Sequence, residues 1–331
     1  MKNALKSAAN FVWETFYKSC IDDQLIKPKD CIIIAVSGGA DSMCLAHLFW
    51  RLAKKMEIKI FAAHFNHGLR LSSKNEQKLV EKICLKLNIP FCLECFDTKK
   101  FAKENKLSIE TAARNLRYAA LSKIAKLYKA QKIALGHNAN DNAETIFLQM
   151  LRGAGNLSGI PYKRNLDKKI QIARPLLFVK RKFIENYADF HEIKYCTDET
   201  NFCDEFTRNK IRLNVLPNLE KINPEIISHL SSLAKITQMQ VSYLNELSLK
   251  AIDKILSKSS NGFYLDLKQI LRYNPAVIAF IIKNVLPINI TSFQINLIIN
   301  KIIHADQLPH RISKQWIFQI KSNKAHFYKN V

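Results

Sequence analysis

The sequence predicts an α/β fold: a doubly wound parallel sheet followed by a smaller, mainly helical C-terminal domain. Short apolar, β-branched runs alternate with segments of helical period through the first part of the chain. Strands separated by helices pair in parallel, with helices covering both faces of the sheet. The alternation stops near Pro217, and 331 residues are more than one ordinary core accommodates. The division that follows is an α/β domain over 1–217 and a mainly helical domain over 218–331.

Each element has a local reason. Residues 31–36 form a β-rich run ending in Ser-Gly-Gly, and Leu45, Leu48, Phe49 and Leu52 then repeat at helical spacing. A second strand is expected over 59–65. Ser73 and Glu76 are spaced as a capping box that opens a helix to about 87. A third strand spans 91–97, Ser108 caps a helix over 109–129, a fourth strand spans 132–136, and a helix runs from about 141 to 151. The loop Arg152-Gly153-Ala154-Gly155 lacks the third glycine of a dinucleotide fingerprint, since Ser158 stands there, and it follows a helix rather than a strand. A short strand at 171–173 and a helix over 180–192 complete the domain. Beyond Pro217 come a long helical pattern over 224–257, a short strand at 263–265, two more helices, and a closing hairpin over 316–328.

Composition narrows the function. Lys and Arg number 51 against 28 Asp and Glu, a formal charge of +23. Such basicity suits a polyanionic partner such as nucleic acid, although the abundance of Lys, Ile and Asn also fits a biased genome. No apolar run approaches a membrane span, and the first residues lack the apolar core of a signal peptide. The eight cysteines therefore read as reduced thiols in a cytoplasm. Cys92 and Cys95 form a CxxC, but on a strand, where positions i and i+3 point to opposite faces; that suits neither a metal nor a disulfide.

The sharpest feature is Ser37-Gly38-Gly39-Ala40-Asp41-Ser42, set between a strand and a helix. Its glycines let the backbone approach an anion, successive N–H groups can form a nest, and the following helix adds its positive end. Asp41 would repel phosphates unless Mg²⁺ bridges them; alternatively Asp41 or Ser42 simply caps the helix. The Gly-Lys-Ser/Thr of a Walker A loop is absent.

This SGGxDS loop resembles the signature of the PP-loop (N-type) ATP pyrophosphatases. Further stretches resemble their tRNA(Ile)-lysidine synthetase branch: His64-Phe65-Asn66-His67-Gly68-Leu69-Arg70, Glu110-Thr111-Ala112-Ala113-Arg114 with Arg117-Tyr118, and His137 through Thr145. Arg152-Gly153-Ala154-Gly155, Arg174-Pro175-Leu176-Leu177, Asp198-Glu199-Thr200-Asn201 and Arg208-Asn209-Lys210-Ile211-Arg212 follow in family order. Asn138, Asn140 and Asn142 replace the family's usual His, Asp and Gln. Longer members carry a further C-terminal domain, so the chain reads as a short form.

The resemblance implies a bacterial, cytoplasmic ligase. ATP would adenylate the wobble cytidine of the CAU anticodon of tRNA(Ile), and the side-chain amine of free L-lysine would displace AMP to give lysidine. It implies ATP binding by Ser37, Gly38, Gly39, Ala40, Asp41, Ser42, His64 and Asn66, with Mg²⁺ on Asp41. The catalytic set would be Asp41, Arg114, His137, Asp141 and Glu144. The lysine ammonium would sit on Asp141 and Glu144. An amine with a reference pKa of about 10.4 must lose a proton before it attacks, and His137, Asp141 and Glu144 all remain candidate bases. Without the resemblance, Asp141-x-x-Glu144 would read as a helix cap. Arg152, Arg174, Arg208 and Arg212 are expected to contact RNA, and a homodimer is left open. The rival functions are a tRNA thiolase of the same superfamily and a non-catalytic RNA-binding protein with a vestigial nucleotide loop.

Overall fold

The computed structural model describes residues 2–69, 73–196, 207–288 and 290–329. The chain separates into two compact units, residues 1–148 with 159–232, and residues 149–158 with 233–331.

In the first unit, helix α1 (Lys2–Ile21) precedes β1 (Cys31–Ala35), α2 (Ala40–Ala53), β2 (Lys59–Asn66), α3 (Ser73–Lys86) and β3 (Phe91–Cys95). Next come α4 (Thr98–Glu104), α5 (Ile109–Leu127), β4 (Lys132–Ala134), α6 (Ala139–Leu151), β5 (Lys163–Asn165), β6 (Gln171–Ala173) and α7 (Arg181–Phe190). The unit then runs through α8 (Thr207–Lys210), a π-helical turn (Ile211–Val215) and α9 (Leu216–Ile222) into α10 (Ile226–Ile255). The sheet order is β3-β2-β1-β4-β6-β5. Every pairing is parallel except that of edge strand β5 with β6.

Both faces of this sheet are covered, which is why its strands read as continuous apolar runs. Ile32 and Ile34 of β1 face Val12 and Phe16 of α1, the apolar side of α2, and Ile184 and Tyr187 of α7. Ile33 points to the opposite face, among Leu121 and Ile124 of α5. Ser108 caps α5, as expected, by accepting a hydrogen bond from the Thr111 N–H. Cys92 and Cys95 lie on strand β3 as free thiols.

The division lies within α10 rather than near 217. Ile211, Leu216 and Ile227 bury their side chains with Ala139 and Ala143 of α6, which ties the start of α10 to the first unit. The loop following α6 belongs to the second unit.

The second unit holds the rest of α10, β7 (Leu256–Ser259), β8 (Gly262–Asp266), α11 (Leu267–Ile270), α12 (Pro275–Val285) and α13 (Ser292–Ile303). Strands β9 (His310–Arg311), β10 (Trp316–Lys321) and β11 (Lys324–Lys329) close the chain. The expected hairpin is present as β10–β11, but it is part of a five-stranded antiparallel sheet ordered β7-β8-β11-β10-β9. The unit is therefore helical on one side only. Phe263, Trp316, Phe318 and Phe327 from the sheet pack with Ile278, Ile281 and Ile298 of α12 and α13. Phe263 and Trp316 are thus core residues of this unit.

Candidate active site

The parallel strands β1, β2 and β4 end at one edge of the sheet, where ligands of open α/β folds bind. A cavity of about 480 Å³ opens there, lined by Ser37, Gly39, Asp41, Phe65, His67, Glu76, Arg117, Gly136, His137, Asp141, Arg181 and Arg212, among others.

Its floor is the loop between β1 and α2. Gly38 sits at φ +94°, a conformation L side chains rarely adopt. Gly39 is the N-cap of α2 and no side chain caps it, so the cap roles considered for Asp41 and Ser42 do not occur. Ser42 instead ties the loop internally: its Oγ accepts from the Ser37 N–H at 3.0 Å and donates to the Gly39 carbonyl at 3.0 Å. The first turn of α2 thus has no side-chain cap, and its residues Ala40, Asp41 and Ser42 line the cavity at the helix's positive end, where an anion is favoured. A Cβ on Gly136 would come within 3.2 Å of the Asp41 carbonyl, so the loop after β4 presses directly on this turn.

Asn138 joins the two halves of the site. Its Nδ2 donates to Asp41 Oδ1 at 2.8 Å, and its Oδ1 accepts from the Asp141 N–H at 3.0 Å. Asp141 Oδ2 in turn accepts from the Asn138 N–H at 3.1 Å. This reciprocal pair is a capping box with Asn138 at the N-cap and Asp141 three residues in. The cap of α6 is therefore Asn138, not Asp141. The other asparagine departures also have structural tasks. Asn140 Oδ1 receives the Arg181 N–H that opens α7, and fully buried Asn142 receives the Ile160 N–H.

Asp41 also faces Arg181 at 3.8 Å. Burial, reinforced by the like charge of Asp141, raises its carboxyl from 3.8 to about 6. A carboxylate held in this state beside a second one fits a divalent cation. Asp41 and Asp141 both line the cavity, and one or two carboxylates plus substrate phosphates are the donor set Mg²⁺ takes.

Glu144 is deeper than its sequence role suggests, with its side chain 1% exposed. Arg208 Nε donates to Glu144 Oε2 and Arg212 Nε to Glu144 Oε1, both at 2.6 Å. Both guanidiniums also approach Asp141 Oδ1, at 3.3 and 3.4 Å. Arg208 and Arg212, expected on RNA, thus form an ion-pair lattice with the two carboxylates expected on lysine.

His137 accepts from Arg174 Nε at its Nδ1, at 3.2 Å. Burial, then the positive charges of Arg174, Arg117, Arg208 and Arg114, push the imidazole down to about 3. It is neutral and a poor proton acceptor. Arg174 is itself 3% exposed and bonds the Pro161 carbonyl; it orients His137 and does not reach an RNA backbone. Of the four arginines expected on RNA, Arg152 is exposed at the end of α6.

The remaining expectations divide by strand register. His64 is buried, its Nδ1 on the Val36 carbonyl at 2.8 Å, and Asn66 holds the turn by accepting the Gly68 N–H. The neighbours Phe65 and His67, one position along, line the cavity instead. On α5, Arg114 is exposed whereas Arg117 lines the cavity. Arg181 and Cys196 also line it, with no motif that would have singled them out, as does Glu76, which the sequence offered only as a helix-cap residue. Asp198, Glu199, Thr200, Asn201 and Arg70 lie outside the described residues.

Comparison with known proteins supplies the family. A family model described as a PP-loop domain matches residues 9–219. The chain is 42% identical over 211 residues to a tRNA(Ile)-lysidine synthase of Thermosipho africanus, covering 64% of this chain and 49% of that protein. It is 34% identical over 267 residues to a tRNA(Ile)-lysidine synthase of Clostridium perfringens, covering 80% of this chain and 56% of that protein. The chain spans about half the length of the curated relatives it matches. Among solved structures, a U34-tRNA thiolase from Methanococcus maripaludis with a [4Fe-4S] cluster superposes with TM-score 0.61 at 17% identity, covering 72% of this chain and 81% of that chain. At that identity the likeness concerns the fold.

Proposed function

Since the chain belongs to the PP-loop family, we propose that it is an ATP-dependent tRNA(Ile)-lysidine synthase, joining free lysine to C2 of the wobble cytidine of the CAU anticodon. One observation carries this reading: the anion-binding turn with Asp41 and the acidic helix start with Asp141 meet in one cavity, bridged by Asn138. A vestigial nucleotide loop has no reason to keep at the cavity a carboxylate that burial and the like charge of Asp141 both disfavour. Among the described residues one thiol, Cys196, lines the cavity while Cys92 and Cys95 lie on β3, so the geometry gives the thiolase alternative no support.

In the first half-reaction the cytidine O2 attacks the α-phosphate and pyrophosphate departs. The N–H groups at the start of α2 hold the departing phosphates. Asp41 would hold Mg²⁺, which supplies charge neutralisation on the phosphates. Arg117, pulled below its ordinary pKa by burial yet still cationic, faces the charge that develops on the substrate.

In the second half-reaction the lysine side-chain nitrogen attacks C2, and O2 leaves with AMP. The amine arrives as an ammonium and must lose a proton. His137, depressed to about 3, is the weakest of the three candidate bases. Glu144 has both oxygens engaged by guanidiniums. Asp141 lines the cavity, which Glu144 does not, and its Oδ1 meets Arg208 and Arg212 at the longer distances of 3.3 and 3.4 Å while its Oδ2 holds the Asn138 N–H; it is the group we assign to the ammonium, and Glu144 fixes the two arginines around it. Cytoplasmic location follows from this reading, and no described helix is long and apolar enough to cross a membrane. The test is to incubate tRNA(Ile) with ATP and labelled lysine, or with a labelled sulfur donor. Lysine label in the RNA supports the assignment; sulfur label, or neither, overturns it.

A further inference from the structure

Tyr118 of α5 is surrounded by arginines. The guanidinium carbons of Arg114, Arg164 and Arg117 lie 5.0, 5.2 and 5.8 Å from its ring centroid. Arg164 comes from β5, the antiparallel edge strand, where it sits in register with Ile172 of β6. Arg114 and Arg164 are exposed. Arg117 lines the cavity and leaves its buried Nε without a partner. Among the described residues, no carboxylate forms an ion pair with any of the three. The buried Arg174 adds a fourth positive charge, and Tyr118 and Arg114 both act on it electrostatically.

Three like charges gathered on one aromatic ring repel one another, and cation–π contact returns only about 0.5–2 kcal/mol each. Elsewhere in this unit Arg181 finds Glu185, Arg208 and Arg212 find Glu144, and Arg51 and Arg174 spend their donors on neutral groups, Tyr187 for the first and His137 and the Pro161 carbonyl for the second. The unneutralised cluster therefore sits where an anion belongs, and its flat guanidinium forks match phosphate oxygens in pairs.

We propose that Arg114 and Arg164, braced on Tyr118, form a phosphodiester-binding site that holds the RNA backbone beside the reacting cytidine, while Arg117 reaches into the cavity from the same ring. This deepens the lysidine-synthase reading and rests on it for the identity of the RNA. An anticodon base must be splayed out of its loop to react, and backbone contacts fix the register of a splayed base without reading it. The position of Arg164 on an exposed edge strand explains why sequence alone did not select it. The same position makes it a safe residue to change.

The experiment measures affinity for an unmodified tRNA(Ile) anticodon stem-loop between 50 and 200 mM salt, without lysine, for the full chain and for Arg164→Ala, Arg114→Ala and the double variant. ATP affinity is measured in parallel without RNA. Each single substitution should weaken RNA binding roughly tenfold at low salt, the worth of one charge-assisted contact. Each should also flatten the slope of log affinity against log salt by about 0.7. For Arg164→Ala, ATP affinity and melting temperature should stay unchanged. Arg164→Lys should keep the slope but recover only part of the affinity, because it keeps the charge and loses the fork. An unchanged slope in both single variants overturns the site. So does a loss of ATP affinity matching the loss of RNA affinity, which would assign the cluster to ATP phosphates. Because binding is read without turnover, a flattened slope in a protein that incorporates no lysine would retain the phosphodiester site and reject the lysidine reading.

Discussion

Replacing Glu144 by Gln tests the ion-pair lattice at the back of the cavity. As a simple helix-start residue, Glu144 would be worth only a cap, about 0.5–2 kcal/mol. The structure asks for more. Glu144 is 1% exposed and takes Nε–H donors from two arginines at 2.6 Å. Gln keeps one acceptor oxygen, loses the charge, and turns its NH₂ toward a cation. Breaking a buried pair in this way costs about 3–5 kcal/mol. Arg208 and Arg212 retain solvent access, at 38% and 28%, which argues for the lower end, about 3 kcal/mol. In a domain of this size that corresponds to a fall in melting temperature of roughly 6–12 °C. A double-mutant cycle isolates the pair: Arg208→Gln should cost far less in the Glu144→Gln background than alone, with a coupling of about 1–3 kcal/mol. Assayed well below its melting point, the variant should still release pyrophosphate in the presence of tRNA but form little lysidine, because the arginines that frame Asp141 have lost their anchor. Extra lysine should restore part of the turnover. A Glu144→Gln protein destabilised by under 1 kcal/mol and additive with Arg208→Gln would refute the lattice. Equal loss of pyrophosphate release and lysidine would refute its assignment to the second step.

Asp41→Ala should abolish tRNA-dependent pyrophosphate release while leaving the melting temperature at pH 7.5 unchanged or higher, because the folded state raises this carboxyl to about 6 and so disfavours its charge; a large drop in melting temperature would show a structural role instead. Gly38→Ala, forced to φ +94°, should cost about 1–3 kcal/mol and weaken ATP binding, read by calorimetry. His47, which meets Tyr187 Oη at 2.9 Å, is depressed by burial to about 4. An unfolded histidine takes up its proton near 6.5, so stability should fall as pH drops from about 6.5 through 4. Chemical denaturation across that window checks the sign, and His47→Asn should flatten the curve. Overall tRNA affinity should fall steeply with salt through counterion release; equal binding to any RNA of the same length would count against a cognate substrate.

The local rules in the sequence were enough for the framework. The run Ile32-Ile33-Ile34 can be buried on both faces only in a covered parallel sheet, and Gly38-Gly39 before a helical period marks an anion-binding turn. Both depend on neighbours in the chain, so they are legible there. What the chain could not state is which side chains meet across elements. Asn138 looks like a lost catalytic group in sequence, yet in space it caps α6 and bonds Asp41. Asp141 and Glu144 share one helix face, but the arginines that occupy them arrive from more than 60 residues away. His64 and Phe65 differ by one position on β2, and the pleat alone sends the first into the core and the second to the cavity. Arg164 carries no motif and becomes significant only because edge strand β5 brings it to the ring of Tyr118. Periodicity and turn chemistry act over a few residues and are written in the sequence. Desolvation, charge pairing and cavity lining depend on distances that only the folded sheet creates.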